Sequence, residues 1–492
     1  MPALEVKRTG PVLRPDSKRV FFRPFELPTR ERLIRVLARV MALDDDEAAR
    51  DAQQVLHSFV GRHQKLREYL LHRFDEVRGD LITDQPVHEH RRLLIGSYLT
   101  QEYALEAAAL FNPSMVPHPD QSGVAPGHLR AVLSLRATGE GHISSICFRT
   151  VEVGPGGSIN VNPPTRFVTA AAAYPNALFE KVLFERKLGE LGLLGAFAGA
   201  VLERLPQDFT LDELHAVVNS RLRQAWSSDR DHQQHVASGI VALARSNYEL
   251  RFDPSTRLSE RVIFPYTPAQ SRGIEDARFV AFREDDGRIN YYATYSAYDG
   301  EIVLPQIVET RDFLDFRIST LNGPAIRNKG LALFPRKIDG HYAMISRQDG
   351  ENLFIMFSEM LHFWHEKRLL MRPTEAWEFV QIGNCGSPIE TPEGWLLLTH
   401  GVGPMRRYVL GAALLDLADP RRVIGRLREP LLTPGEEERE GYVPNVVYSC
   451  GGLVHDGLLI LPYAMSDQCA GFAHVALDAL LAELKRHPGG ET

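Results

Sequence analysis

Cysteine is scarce in this chain. There are four in 492 residues, Cys147, Cys385, Cys450 and Cys469, and no two form a C-x-x-C pair. That excludes zinc-ligand spacing and a disulfide framework. Charge of one sign is also lacking: the formal net charge is −7, spread along the chain. A nucleic-acid binder would carry a basic face, and the pair Arg406-Arg407 is too short to make one, so it reads as local. Long hydrophobic runs are missing. The longest apolar stretch, Leu191 to Leu202, is too short to span a bilayer. The first residues, MPALEVKRTGPVLRPDSKR, lack the apolar run of a secretory signal. The expectation is a cytoplasmic protein of a bacterial-type cell, with neither membrane nor nucleic acid as partner. A G-x-S-x-G elbow, a P-loop and an H-E-x-x-H pair are absent as well, which counts against serine-hydrolase, P-loop NTPase and zincin chemistry. No metal site is readable.

What is present is ordinary globular material, 44% apolar and 24% charged, enough for a sizeable core. Residues 1–27 read as an extended arm with several prolines. From Thr29 to about Leu110 apolar residues recur three and four apart, which predicts helices up to Phe111-Asn112-Pro113. A second helical block is predicted from Asn176 to Asn247, and HVALDALLAELKRH predicts a short amphipathic helix near the C-terminus. The remainder is β-rich and repetitive. Five units place an apolar strand, often after a turn, before a second strand: 129–151, 277–298, 331–357, 388–417 and 451–477. Four share a DDG, IDG, PEG or HDG turn, as hairpins prefer. Five such units in series predict radial repetition, a five-bladed β-propeller with an α-helical N-terminal region and a helical insertion. A β-sandwich with helical additions is the alternative. The boundaries are 1–110 for the arm and helices, 111–475 for the propeller with its insertion at about 175–250, and 476–492 for the last helix and tail.

A propeller gathers polar residues from strand ends around a central funnel. Several polar clusters stand at such places. Arg272-Gly273-Ile274-Glu275-Asp276-Ala277-Arg278 sets two carboxylates between arginines at the mouth of a strand. It is either a solvated turn or a fixed acid. An Asp among arginines has its pKa lowered, so an acid role needs burial or the Glu275 charge to raise it. Lys329 and Arg347 bracket one hairpin and are either solvated rim charges or an anion site. His400 follows an apolar strand, where a structural histidine is the commoner finding. Val443-Pro444-Asn445 and Ser466-Asp467 are turn-like.

Taken together and in this order, these segments resemble glycoside hydrolase family 130. The residues that carry the resemblance are FNPS at 111–114, LSLRA at 133–137, GIEDARF at 273–279 and NKGLALFPRKIDGHYAMISR at 328–347. They continue with GSPIETPEGWLLLTHGVG at 386–403, YVLGAALLDLADP at 408–420, VPNVVYSCGGL at 443–453 and PYAMSDQCAGFA at 462–473. The resemblance implies a five-bladed propeller and an inverting enzyme acting on β-mannosides. It implies phosphorolysis to α-mannose 1-phosphate, with inorganic phosphate as co-substrate and no other cofactor. It places the acid on Asp276, acting through the O3 hydroxyl of the bound mannose. It places phosphate binding on Lys329, Arg347, His400 and Tyr408, and mannose binding on Asn112, Arg136 and Asp467; Glu275 and Asn445, from the same polar clusters, are further substrate-binding candidates.

The physical logic is that phosphate is already an anionic nucleophile. Such an enzyme needs a cationic cradle rather than the second carboxylate of an ordinary inverting glycosidase. Two departures stand out. Ala277 replaces the proline after the acid, and Gln381 lies where many phosphorylases place a lysine. An inverting β-1,2-mannosidase is therefore the first alternative, with Glu275, Glu390 or Glu393 as candidate base. A non-catalytic propeller that binds glycans or a protein is the second. The helical regions resemble those of longer relatives acting on β-1,2-linked mannose. They are expected to cap the channel, to form a homo-oligomer interface or simply to pack against the propeller.

Overall fold

The structure, a computed structural model, describes residues 4–81, 83, 85–175, 178–224, 230–300 and 302–488. The expected helix start at Asn176, Trp226 at the end of one predicted helix, and the last residues of the tail lie outside these.

The fold is mainly β. Among the described residues the antiparallel strands form five meanders in chain order. The first runs through Ala109–Pro117, Leu129–Thr138, Ser144–Gly154 and Ser158–Val161. The second is Gly273–Arg283, Ile289–Tyr298, Val303–Thr310 and Asp315–Thr320. The third is Ala332–Leu333, Tyr342–Ser346, Leu353–Ser358 and Arg368–Met371. The fourth is Gln381–Asn384, Gly394–Val402, Tyr408–Leu415 and Val423–Arg426. The fifth is Val447–Tyr448, Leu458–Met465 and Cys469–Ala476, completed by Lys7–Leu13 from the other end of the chain. Each contains one of the five repeated sequence units. The turns at Asp339-Gly340 and Asp456-Gly457 have both residues at positive φ, which matches the twist of a tight hairpin. Successive meanders touch, and the fifth touches the first. All four cysteines are buried and free.

Helices form where the sequence supplies caps and an apolar stripe. In the N-terminal region these are α1 (Arg30–Ala42), α2 (Asp45–Phe59), α3 (Leu66–Val77) and α4 (Glu89–Tyr98). Asp44 and Glu47 make a reciprocal cap on α2. The insertion carries α5 (Lys181–Glu190), α6 (Ala196–Leu202), α7 (Leu211–Arg223) and α8 (Arg230–Arg245). These four bury a core of their own around Phe209, Leu188 and Ile240. The chain closes with α9 (Leu477–Arg486).

Three expectations are corrected. The arm is not merely extended: Lys7–Leu13 and Val20–Pro24 are paired strands. The N-terminal helical pattern does not continue to Leu110. Thr100–Ala104 is a strand paired to Val20–Pro24, and Tyr103 packs edge-on against Phe21 at 5.5 Å. Tertiary pairing has overridden a marginal helical period there. The second helical block starts later than expected, because Ala172–Pro175 joins Tyr248–Arg251 as a strand and α5 begins only at Lys181.

Candidate active site

Two adjacent strands are bulged at the place where the polar residues converge. Register slips between Phe111 and Ser114 on one strand and between Glu275 and Arg278 on the other. The bulged residues Asn112 and Asp276 take the left-handed conformation, at φ 48° and 55°. Bulges re-aim side chains, and backbone strain of this kind collects at functional sites. Here they bring Asn112 Nδ2 to 2.7 Å from Asp276 Oδ1, as donor to it. Asn445 and Asp467 share the left-handed region, at φ 61° and 52°.

Arg136 ties the carboxylates together. Its Nη2 donates to Glu275 Oε1 at 2.9 Å and its Nη1 lies 3.4 Å from Asp276 Oδ1. Its Nε donates to Ser144 Oγ at 2.9 Å, and Phe111 lies under its guanidinium at 5.1 Å. Lys329 donates to the other oxygen of Glu275. Asp276 and Glu275 are thus held by cations and remain partly open, with side chains 17% and 15% exposed.

A buried bridge leads from this pair to the cradle. Arg278, 3% exposed, donates to the Asp276 carbonyl at 2.9 Å, to the Cys385 carbonyl at 2.9 Å and to the Tyr448 hydroxyl at 2.6 Å. The Tyr448 ring lies 4.9 Å from His400. His400 Nε2 is 3.2 Å from Arg347 Nη1, and Tyr408 stacks on His400 at 6.0 Å. Close packing is possible because Gly383 faces the imidazole. A Cβ at that position would sit 2.3 Å from the ring and 3.0 Å from Arg347. Gly330, next to Lys329, takes φ +87° beside Arg347 and Asn384, where a Cβ would make ordinary contacts at 3.6–3.7 Å. Arg347 Nε and both amide atoms of Asn384 are buried without a protein partner, so this corner holds spare hydrogen-bonding capacity suited to a polar ligand.

Electrostatics corrects two parts of the sequence reading. Burial pushes the Asp276 carboxyl up. The charges of Arg136 and Arg278, the Asn112 hydrogen bond and the charge of Lys329 outweigh it and hold the group below its ordinary value. The net shift is therefore down, and the nearby Glu275, itself paired with Arg136 and Lys329, does not reverse it. His400 is not a cation. Burial and then the charges of Arg347 and Arg278 push it well below the usual histidine value. It is neutral at pH 7 and offers a hydrogen bond rather than charge, leaving the positive charge to Lys329, Arg347 and Arg278.

The structure also separates some candidates from the site. Glu390 is held by Arg336 at 2.8 Å and approached by Arg283 at 3.7 Å, and Glu393 pairs with Lys485 of α9. Asn445 accepts from Arg439 at 2.8 Å, while its carbonyl accepts from the Tyr408 amide at 3.1 Å. It supports Tyr408 through the backbone. Gln381 is part of the cradle: its amide oxygen accepts from Arg347 and its nitrogen donates to the Gly350 carbonyl at 3.1 Å.

Sequence reasoning assigned no role to Tyr448, Asn384 or Arg406, and saw Arg278 only as one of the arginines flanking the two carboxylates. For Arg278 the signal was its place among the arginines around Glu275 and Asp276; the bulge between Glu275 and Arg278 breaks the alternation that would have fixed its direction. Arg406 acts electrostatically on Asp467 from the neighbouring loop, a proximity that nothing local announces.

The pKa of Asp467 is raised, to about 6. Burial is the main cause and the Asp276 and Glu275 charges add to it, against Arg136 and Arg406. Its folded value lies above the unfolded 3.8. Its contribution to stability is therefore full below about pH 4 and is lost as pH rises through about 6. Asp467→Asn is expected to raise the melting temperature at pH 8, by the equivalent of at most about 3 kcal/mol, and to leave it unchanged near pH 3.5. Thermal melts at the two pH values check this.

With the geometry in place, comparison decides the family. The model for glycoside hydrolase family 130, described as beta-1,4-mannooligosaccharide phosphorylase, matches residues 218–486. The chain belongs to glycoside hydrolase family 130. It is thereby an enzyme acting on β-mannosides. Among similar proteins is a 1,2-beta-oligomannan phosphorylase of Thermoanaerobacter sp. (strain X514), 37% identical over 227 residues, spanning 44% of this chain and 73% of that one. A beta-1,2-mannobiose phosphorylase of Listeria innocua is 32% identical over 231 residues, spanning 45% of this chain and 63% of that one. A solved structure of beta-1,2-mannobiose phosphorylase from Listeria innocua, in complex with β-1,2-mannobiose, superposes with a TM-score of 0.46 at 24% identity. It covers 77% of this chain and 93% of that one. Among the described residues of this family member, no helix is long and apolar enough to cross a membrane.

Proposed function

We propose that this enzyme phosphorolyses β-1,2-mannobiose or β-1,2-oligomannan with inversion, releasing α-mannose 1-phosphate, on a five-bladed propeller whose blades are the five meanders. The observation that carries the reading is the polar path Asp276–Arg278–Tyr448–His400–Arg347. It sets a carboxyl group at one end and a cationic, under-bonded pocket at the other. The similar phosphorylases of β-1,2-linked mannosides support the substrate class.

In this reading Asn112, Arg136 and Asp467 hold the mannosyl residue, while Lys329, Arg347, His400 and Tyr408 hold phosphate. A phosphate oxygen attacks the anomeric carbon and the glycosidic C–O bond breaks. The leaving oxygen takes the proton of the mannose O3 hydroxyl, and O3 takes the proton of Asp276. In the free enzyme Asp276 is held ionised by the surrounding cations. Bound phosphate brings negative charge to Lys329 and its neighbours, which weakens that hold and lets the carboxyl take up a proton. No base is required, consistent with the engagement of Glu390 and Glu393 in ion pairs elsewhere.

One observation favours an inverting β-1,2-mannosidase instead. Gln381 is neutral and occupies a donor of Arg347. A single experiment separates the two readings: incubation of the full chain with β-1,2-mannobiose, with and without phosphate. The expected result is mannose 1-phosphate with phosphate present, and a rate lower by about 100-fold or more without it. Equal release of mannose in both would remove the phosphorolytic reading.

A further inference from the structure

Helix α5 of the insertion ends against the connection that carries Lys329. Lys187 is 4% exposed. Its ammonium donates to Glu190 Oε2 at 2.9 Å and to the Leu321 carbonyl at 2.9 Å. Glu190 Oε1 accepts from the Gly323 amide at 2.7 Å. One side-chain pair therefore satisfies two backbone groups of a segment that leaves the second meander at Thr320 and enters the third at Ala332.

That segment is clamped from its other side. Gly323 has φ +109°, and a Cβ there would lie 2.0 Å from the Trp364 carbonyl. Asn322 and the 362–364 strip exchange backbone hydrogen bonds at 2.9 Å, Asn322 to His362 and Trp364 to Asn322. Arg186 of α5 lies over the Phe363 ring at 5.2 Å, so the helix grips both layers of the clamp. Ile326 turns back to the Gly323 carbonyl at 2.9 Å. Gln348, adjacent to Arg347, donates to the Ala325 carbonyl at 2.8 Å. Beyond these ties come Lys329, on Glu275, and Gly330, against Arg347.

Burying an ion pair costs desolvation, and an apolar pair of similar size usually packs as well or better. What the charged pair adds here is direction: each partner fixes one backbone group of the connection. We propose that Lys187 and Glu190 are positioning residues for the phosphate cradle, holding the 321–330 connection so that Lys329 stays on Glu275 and Gly330 stays against Arg347. This rests on the phosphorylase reading and gives the helical insertion a task beyond packing, namely setting phosphate affinity.

Lys187→Met and Glu190→Gln, in the full chain, test it. Phosphate is varied at saturating β-1,2-mannobiose, and the disaccharide at saturating phosphate. The phosphate KM is expected to rise about tenfold, with the disaccharide KM within about twofold and kcat largely recovered at high phosphate. Glu190→Asp, which keeps the charge, is expected to recover part of the loss. Calorimetric binding of inorganic phosphate without sugar is a second readout that does not depend on turnover, and about tenfold weakening is expected there. Equal changes in both KM values, or an unchanged phosphate affinity beside a lowered melting temperature, would overturn the assignment. Turnover of the unaltered enzyme that ignores phosphate would instead remove the phosphorylase reading itself.

Discussion

Asp276→Asn is expected to lower kcat for β-1,2-mannobiose by about 10³-fold while leaving disaccharide binding within a few-fold. The substitution is well suited to the site. Asparagine tolerates the left-handed backbone that Asp276 adopts at φ 55°. Its amide oxygen can still accept from Asn112, which donates to Asp276 at 2.7 Å. What disappears is the exchangeable carboxyl proton and one negative charge among Arg136, Arg278 and Lys329. Steady-state kinetics beside calorimetric binding of the disaccharide separate loss of chemistry from loss of binding. Retained turnover would take Asp276 out of the mechanism. Lost activity together with lost binding would recast it as a sugar ligand. Full binding with no turnover would also dispose of the idea that the chain only holds glycans.

The second large effect concerns the other end of the polar path. Arg347→Ala is expected to raise the phosphate KM by roughly 10- to 100-fold, the worth of one or two charge-assisted hydrogen bonds. The disaccharide KM should stay within about twofold. Arg347 is the cradle cation that approaches His400, at 3.2 Å, and its Nε is buried without a protein partner. His400 is neutral, so it cannot replace the lost charge, and Lys329 divides its own between the anion and Glu275. Arg347→Lys should not restore affinity, because a single ammonium lacks the planar fork. Kinetics with each substrate varied in turn check this. Matched increases in both KM values would mean that Arg347 supports the whole site rather than the anion.

Much of the β-rich part was legible because its information is local. Each hairpin carries an apolar alternation and a turn such as Ile-Asp-Gly or His-Asp-Gly. Both kinds of signal act between residues a few positions apart, and all five units fall inside meanders. The polar clusters were legible for a related reason. Asn112, Asp276, Asn445 and Asp467 are residue types that tolerate positive φ, and all four adopt it.

The rest depended on partners distant in the chain. The pairing of Thr100–Ala104 with Val20–Pro24 turned an apparent helix into a strand, and the fifth meander borrows its outer strand from Lys7–Leu13. The charge state of His400 depends on Arg347, Arg278 and the loss of water around it. That of Asp276 depends on Arg136, some 140 positions away. Residue order determined which side chains could make hairpins, caps and bulges. Which of those side chains share a low-dielectric corner, and so which carry charge, was decided only when the chain closed on itself, because Coulomb and desolvation energies depend on spatial separation and solvent exposure rather than on position in the sequence.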